Sequence, residues 1–123
     1  MSVISVLIAV QSPLKRDMLH HSLSPAKFDT EVAASPEAVF ALLKQREFQV
    51  VLSDPAFWGG RLSKSLDVLT SHFPATQILW LVADDEVALT RYRQVSLFPA
   101  ESFDMPALAA RICDLARSYS GLN

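Results

Sequence analysis

The sequence predicts a single α/β domain built on a parallel sheet, and three observations favour this class. Short apolar runs alternate five times with amphipathic stretches. Half of the chain is hydrophobic, which is enough to form a core without disulfides or metals. The length of 123 residues fits one domain, covering residues 1–123. Strands and helices in alternation predict a sheet covered on both faces by right-handed crossovers.

Five apolar runs have the length of strands. The first run is almost continuously apolar, as is typical of a strand buried on both faces. The second run is more polar, so we expect it near an edge of the sheet. The predicted strands cover residues 3–10, 28–33, 48–52, 77–82 and 94–98.

Helix-start signals lie between these runs. Ser12 and Ser35 each precede a proline. A serine hydroxyl can cap the start of a helix, and proline suits the first helical position because the N–H it lacks would have no partner within the helix. In the first helix, the apolar spacing predicts that Leu14, Met18, Leu19 and Leu23 face inward. A loop containing Trp58 is expected after the third strand. The five predicted helices begin near residues 13, 36, 62, 84 and 105.

Composition and charge exclude several classes of function. The net charge is -2, from 11 basic and 13 acidic residues, and no basic patch points to nucleic-acid binding. No apolar run is long enough to cross a membrane as a helix. Cys113 is the only cysteine, so no internal disulfide can form, which suits a cytoplasmic location.

Four segments, in order along essentially the whole chain, resemble the receiver domain of response regulators. Residues 6–14 resemble the family's first strand with its Pro-Leu, and residues 49–54 resemble its third strand, which ends in the phospho-accepting aspartate, here Asp54. Residues 81–83 and 98–103 resemble the ends of its fourth and fifth strands. The resemblance implies a flavodoxin-like, doubly wound sheet of five parallel strands in the order 2-1-3-4-5, with five helices.

The positions that carry the family's chemistry depart from its pattern. Where the family has two metal-binding acids, this chain has Val10 and Gln11. Val82 matches the switch Thr or Ser but has no hydroxyl, and Glu101 matches the family's lysine with the opposite charge. Among these matched positions, only Asp54 keeps the family's residue type.

These departures predict that Mg²⁺ binding is weak or absent and that the domain has no other cofactor. Magnesium takes oxygen ligands in near-octahedral geometry, and Val10 offers none. Asp54 and Glu101, at a separation of about 6 Å, would repel by roughly 3 kcal/mol at an effective dielectric constant of about 20. A phosphoryl group would add a further charge of about minus two. Phe98 matches the family's aromatic switch position but lacks a phenolic hydroxyl.

The sequence therefore indicates an atypical receiver domain of bacterial signal transduction that is not an enzyme. We expect it to act without phosphorylation, by binding a protein partner or a copy of itself, with no role in nucleic-acid or membrane binding. Family members commonly precede an output domain, so attachment to a longer regulator is expected. The partner surface implied by the resemblance, on the predicted helix after residue 84, the fifth strand and the last helix, would offer Tyr92, Leu97, Pro99 and Arg111.

Two alternative interpretations stay open at this point. Asp54 could accept a phosphoryl group in an unusual pocket, as in a phosphorelay, or it could hydrogen-bond nearby backbone N–H groups and end the strand. The chain could instead be a small-ligand-binding flavodoxin-like domain.

Phe57 and Trp58 either fill the space of the missing metal cluster or anchor a partner, and Asp84 with Asp85 either cap a helix or supply metal ligands.

Overall fold

The computed structural model describes residues 3–23, 28–82, 95–99 and 104–121, with the backbone alone described at residues 61–63, 99 and 118–121. Five parallel strands form one sheet in the order β2-β1-β3-β4-β5, which confirms the predicted fold class and strand order. The strands are β1 (Ile4–Ala9), β2 (Phe28–Val32), β3 (Val50–Ser53), β4 (Gln77–Val82) and β5 (Val95–Pro99).

The helices that begin at residues 13, 36, 62 and 105 start where the sequence predicts them. The Ser12 hydroxyl accepts the N–H of Lys15 at 3.2 Å, and the Ser35 hydroxyl accepts that of Ala38 at 3.2 Å. Within the described residues, no helix is long and apolar enough to cross a membrane. The predicted helix after residue 84 lies outside the described residues. The helices are α1 (Pro13–Leu23), α2 (Pro36–Gln45), α3 (Pro55–Trp58), α4 (Leu62–His72) and α5 (Met105–Gly121), with a 3₁₀ turn, Gly59–Arg61, before α4.

Alternate side chains of the strands form a core on each side of the sheet. The aliphatic face packs against α1 and α5, and its buried side chains include Val6, Ile8, Leu19, Leu108 and Ile112. The aromatic face packs against α2, α3 and α4, and its buried side chains include Phe48, Phe57, Trp58 and Trp80. Phe57 and Trp58 therefore belong to the core, as the core-filling interpretation of these residues expects.

The prediction that Leu14 and Met18 face inward is wrong. Leu14 is 80% exposed and Met18 is 43% exposed, whereas Leu19 and Leu23 are buried against the sheet. The helix carries two apolar pairs, each spaced by four residues, and the pairs lie about 140° apart around its axis. Only one pair can face the sheet, and the second pair does so.

Residues 55–61, expected as a loop, instead form α3 and the 3₁₀ turn. Asp54 is the N-cap of α3 and Pro55 is its first residue, as Ser35 and Pro36 are for α2. Gly59 ends α3 with φ 60° and ψ -137°, a conformation that L side chains rarely adopt. After the sharp turn at Gly59, α4 begins at Leu62, only four positions after α3 ends at Trp58.

Arg46, immediately after α2, joins the amino ends of β1, β2 and β3. Its Nη2 donates to Asp29 Oδ2 at 2.7 Å and to Ser5 Oγ at 3.2 Å. Its Nη1 lies 4.0 Å from Glu31 Oε1, and its guanidinium lies 4.6 Å from the ring centroid of Phe48. Arg46 thus links the two acidic residues of the edge strand β2 to Ser5 of the neighbouring strand β1.

Candidate functional site

The carboxyl ends of β1 and β3 form the corner where the sequence places its candidate site. Ala9 and Ser53 are register partners, so the residues that follow them come together above the sheet. We call this region, comprising Val10, Gln11 and Asp54, the Asp54 corner. In open α/β sheets ligands bind beyond such strand ends, so the chemistry of these side chains decides what the corner can do.

The Asp54 carboxylate accepts hydrogen bonds from two backbone N–H groups. The N–H of Phe57 donates to Oδ1 at 3.1 Å, which is the N-cap bond of α3. The N–H of Gln11 also donates to Oδ1 at 3.2 Å and approaches Oδ2 at 3.5 Å. The carboxylate therefore links the end of β1 to the start of α3, which matches the expectation that it bonds nearby N–H groups and ends the strand.

The two valines at the predicted site are core residues. Val10 is fully buried on the aliphatic face, and Val82, at the end of β4, is 6% exposed on the aromatic face. Neither carries a side-chain oxygen, so Val10 supplies no metal ligand and Val82 supplies no hydroxyl. In the part of the chain that the structure describes, no group of three or more His, Cys, Asp or Glu side chains could hold a metal ion. The described residues of the corner do not supply the set of oxygen ligands that a Mg²⁺ ion takes.

Sequence reasoning missed Ser53, which lies directly beneath Asp54. Its hydroxyl is fully buried, donates to the carbonyl of Ala9 at 2.5 Å, and accepts the indole N–H of Trp58 at 2.9 Å. The sequence signal was a polar residue closing an apolar strand, with a tryptophan five positions later. The serine thereby gives the buried indole a hydrogen-bond partner.

Arg16 also escaped the sequence analysis. Its Nη2 donates to the carbonyl of Gln11 at 3.2 Å, so a cation sits against the same peptide segment whose N–H binds Asp54. The only signal was its position one turn after the capping Ser12, at the end of α1 that faces the corner. A positive group is therefore present beside the corner.

The remaining candidate residues divide into described and undescribed sets. Phe98 packs against the aliphatic face and Leu97 against the aromatic face, so the two point to opposite sides of β5. Arg111 is exposed on α5, and Pro99 ends β5 beside Val82. The acids and aromatic residue Asp84, Asp85, Tyr92 and Glu101 lie outside the described residues, so the predicted repulsion between Asp54 and Glu101 stays a prediction.

Two shallow surface cavities lie away from the corner. One, of about 280 Å³, lies between α2 and α4 and is lined by Pro36, Phe40 and Val68 among others. The other, of about 200 Å³, lies at the amino end of the sheet beside Arg46 and His72. Asp54 lines neither cavity, so neither supports the small-ligand interpretation at this corner.

Solved structures share this fold. A response regulator receiver domain protein from Clostridium thermocellum has a TM-score of 0.83 and 12% identity, covering 98% of this chain and 100% of that one. The signal receiver domain of an HD domain-containing protein from Pseudomonas fluorescens Pf-5 has a TM-score of 0.82 and 17% identity, covering 98% and 92%. The response regulator TrrA from Thermotoga maritima, in complex with Mg²⁺ and BeF, has a TM-score of 0.77 and 15% identity, covering 92% and 99%.

No protein-family model and no curated protein matches this chain. The similarity therefore rests on the sheet order, the helices and the superposition over nearly the full length. The chain has the fold of the response regulator receiver domains.

Proposed function

We propose that this chain is a regulatory domain of signal transduction that acts without aspartyl phosphorylation. It is not an enzyme in this proposal, and it works by binding a protein partner or a copy of itself. The observation that carries the proposal is the use of the Asp54 carboxylate as an acceptor for the N–H groups of Gln11 and Phe57. That arrangement gives the carboxylate a structural role, with a buried valine where the family places a metal-binding acid.

The chemistry of phosphoryl transfer supports the proposal. Such transfer depends on positioning and on neutralising the charge of the incoming group. A phosphoryl group on Asp54 would bring a charge of about minus two to an oxygen that caps α3. Arg16, the cation beside the corner, is held against the carbonyl of Gln11. Phosphorylation would therefore have to displace the existing contacts before new ones formed.

The solved relatives supply a contrast. TrrA from Thermotoga maritima is recorded with Mg²⁺ and BeF, and the Pseudomonas fluorescens domain belongs to an HD domain-containing protein. We propose that this chain keeps the fold and the role of a domain attached to other signalling modules but not the metal-dependent switch. Partner binding would then depend on the outer edge at β5 and α5, where Leu97 is half-buried and Arg111 is exposed.

Incubation of the chain with Mg²⁺ and beryllofluoride, followed by ¹H–¹⁵N NMR, tests the proposal. We expect no change at the amides of Gln11 and Phe57, because the corner lacks the oxygen ligands for Mg²⁺, and without the metal the negative charge of beryllofluoride at Asp54 is not neutralised. Asp54→Asn is the matched control, since it keeps an acceptor oxygen and removes the charge. A saturable shift at these amides in the native chain that Asp54→Asn abolishes would favour the rival phosphorelay receiver.

The partner surface has a separate test. Sedimentation velocity of the chain, with Arg111→Glu and Arg117→Glu as paired variants, measures self-association at α5. Both arginines are exposed, but Arg117 pairs with Asp114 at 3.3 Å within its own helix. We expect Arg111→Glu to weaken any dimer and Arg117→Glu to leave it unchanged. An equal change in self-association in the two variants would argue against a partner surface at Arg111.

A further inference from the structure

A buried polar chain runs beneath the Asp54 corner. The Trp58 indole N–H donates to Ser53 Oγ at 2.9 Å, and the Ser53 hydroxyl donates to the carbonyl of Ala9 at 2.5 Å. Ser53 is fully buried and Trp58 is 3% exposed. These two hydrogen bonds connect α3, the end of β3 and the end of β1, and the two side chains that form them are buried away from bulk water.

The ring of Trp58 is fixed by two aromatic neighbours. Phe40 of α2 lies with its centroid 6.0 Å from that of Trp58 at an interplanar angle of 61°, and Phe57 lies at 5.2 Å and 75°. Both are edge-to-face arrangements, which aromatic pairs favour. Because the ring is clamped between these neighbours, the indole N–H stays directed at Ser53.

The short helix α3 depends on this anchor. It has four residues, too few for a helix that is stable without tertiary packing. Its first turn presents the N–H of Phe57 to Asp54, and its last residue is Trp58. The position of the N–H that Asp54 binds is therefore set by the burial of the residue that follows it.

We propose that Trp58 and Ser53 form an internal lock that holds the Asp54 corner in one conformation, with the carboxylate turned to the backbone. Trp58 acts as a positioning residue through Ser53 and α3. The lock fixes the first turn of α3 and the last peptide of β1 at the same time, which are the two sources of the N–H donors to Asp54. This inference goes beyond the proposed function, because the lock can exist in a domain that is phosphorylated or in one that is not.

Trp80 shows that the bond is not a simple consequence of burying tryptophan. Trp80 is fully buried on the same face, and its indole N–H has no hydrogen-bond partner among the described residues. The protein thus contains two buried tryptophans, one of which is hydrogen-bonded to the corner. Trp58→Phe and Trp80→Phe remove the same atoms, so the difference between their effects gives the contribution of the Trp58–Ser53 hydrogen bond.

Amide hydrogen exchange measured by NMR tests the lock in Trp58→Phe, Ser53→Ala and the control Trp80→Phe. We expect the amides of Gln11 and Phe57 to exchange about three- to tenfold faster in the first two variants, as the loss of one hydrogen bond implies. The amide of Ser5, bonded to Gln49 Oε1 at 3.0 Å at the opposite end of the sheet, is the internal reference. Its exchange rate should change equally little in all three variants.

Two results would overturn the inference. One is exchange at Gln11 and Phe57 that rises no more in Trp58→Phe and Ser53→Ala than in Trp80→Phe. The other is a uniform rise that includes Ser5, which indicates general destabilisation without a local lock. Ser53→Ala keeps the aromatic core intact, so it decides the matter even where Trp58→Phe does not fold.

Discussion

The two ends of the sheet use their acidic residues differently. At the amino end, Asp29 and Glu31 of β2 face the guanidinium of Arg46, which also donates to Ser5. At the carboxyl end, the Asp54 carboxylate faces backbone N–H groups and lies above a buried serine and tryptophan. The acids of the amino end are paired with an opposite charge, whereas the acid of the carboxyl end is hydrogen-bonded to backbone N–H groups.

This difference bears on function because the carboxyl end is where parallel sheets place their ligands. An end held by ion pairs responds to salt and to charge changes, since screening acts on exposed charges. An end held by backbone donors and an internal indole depends instead on local geometry. We infer that the Asp54 corner acts as a structural joint between the end of β1 and the start of α3.

The largest effect is expected at Gly59, where the geometry of the carboxyl end is most demanding. Gly59→Ala should destabilise the fold by about 1–3 kcal/mol, because its φ of 60° and ψ of -137° suit glycine almost alone. Gly60→Ala is the control, since its φ is not positive and an added Cβ meets no atom within 4 Å. Urea unfolding measures both. Equal free energies of unfolding for the two variants would contradict the claim that α3 must end at a residue with positive φ.

A smaller effect separates the two tryptophans. Trp58→Phe should destabilise the fold by about 1 kcal/mol more than Trp80→Phe, because it alone loses a hydrogen bond. The packing losses are similar, since both rings are buried on the aromatic face. Paired urea titrations give the difference directly. If Trp80→Phe proves the more damaging variant, the neutral contacts of the carboxyl end contribute less than we infer.

The smallest effect is expected at the amino end. Arg46→Met should lose about 0.5–1 kcal/mol, because the side chains of Arg46 and Asp29 are 35% and 52% exposed and water screens their attraction. The loss should shrink at high salt. Arg117→Met, at an 81% exposed position, is the control and should have almost no effect. A loss at Arg46 that is unaffected by salt would contradict the charge-based account of this end.

Much of the fold could be predicted because its signals are local. Capping serines before prolines marked α1 and α2, and apolar runs marked strands such as Gln77–Val82 at their observed bounds. The predicted inward face of α1 was right at Leu19 and Leu23 and wrong at Leu14 and Met18, because the second pair repeats the spacing of the first. Spacing alone does not say which of two such pairs meets the sheet.

The site was harder to predict because its bonds join distant parts of the chain. The position of Asp54 was foreseen, but its partner Gln11 is 43 positions away, and Ser53 donates to a carbonyl 44 positions away. The helix α3 has four residues, too few to show a helical period. The register of β1 against β3 is what brings Ala9 and Gln11 to Ser53 and Asp54.

Urea unfolding of Asp54→Ala and Asp54→Asn, with and without Mg²⁺, tests the structural role of Asp54 most directly. We predict that Asp54→Ala destabilises the fold by about 1–2 kcal/mol through loss of the cap and of the bond to Gln11. Asp54→Asn should lower the free energy of unfolding by less than half as much. Mg²⁺ should leave the free energy of unfolding of all three proteins unchanged. The account is contradicted if Asp54→Ala is as stable as the native chain or more so, or if Mg²⁺ stabilises the native chain alone.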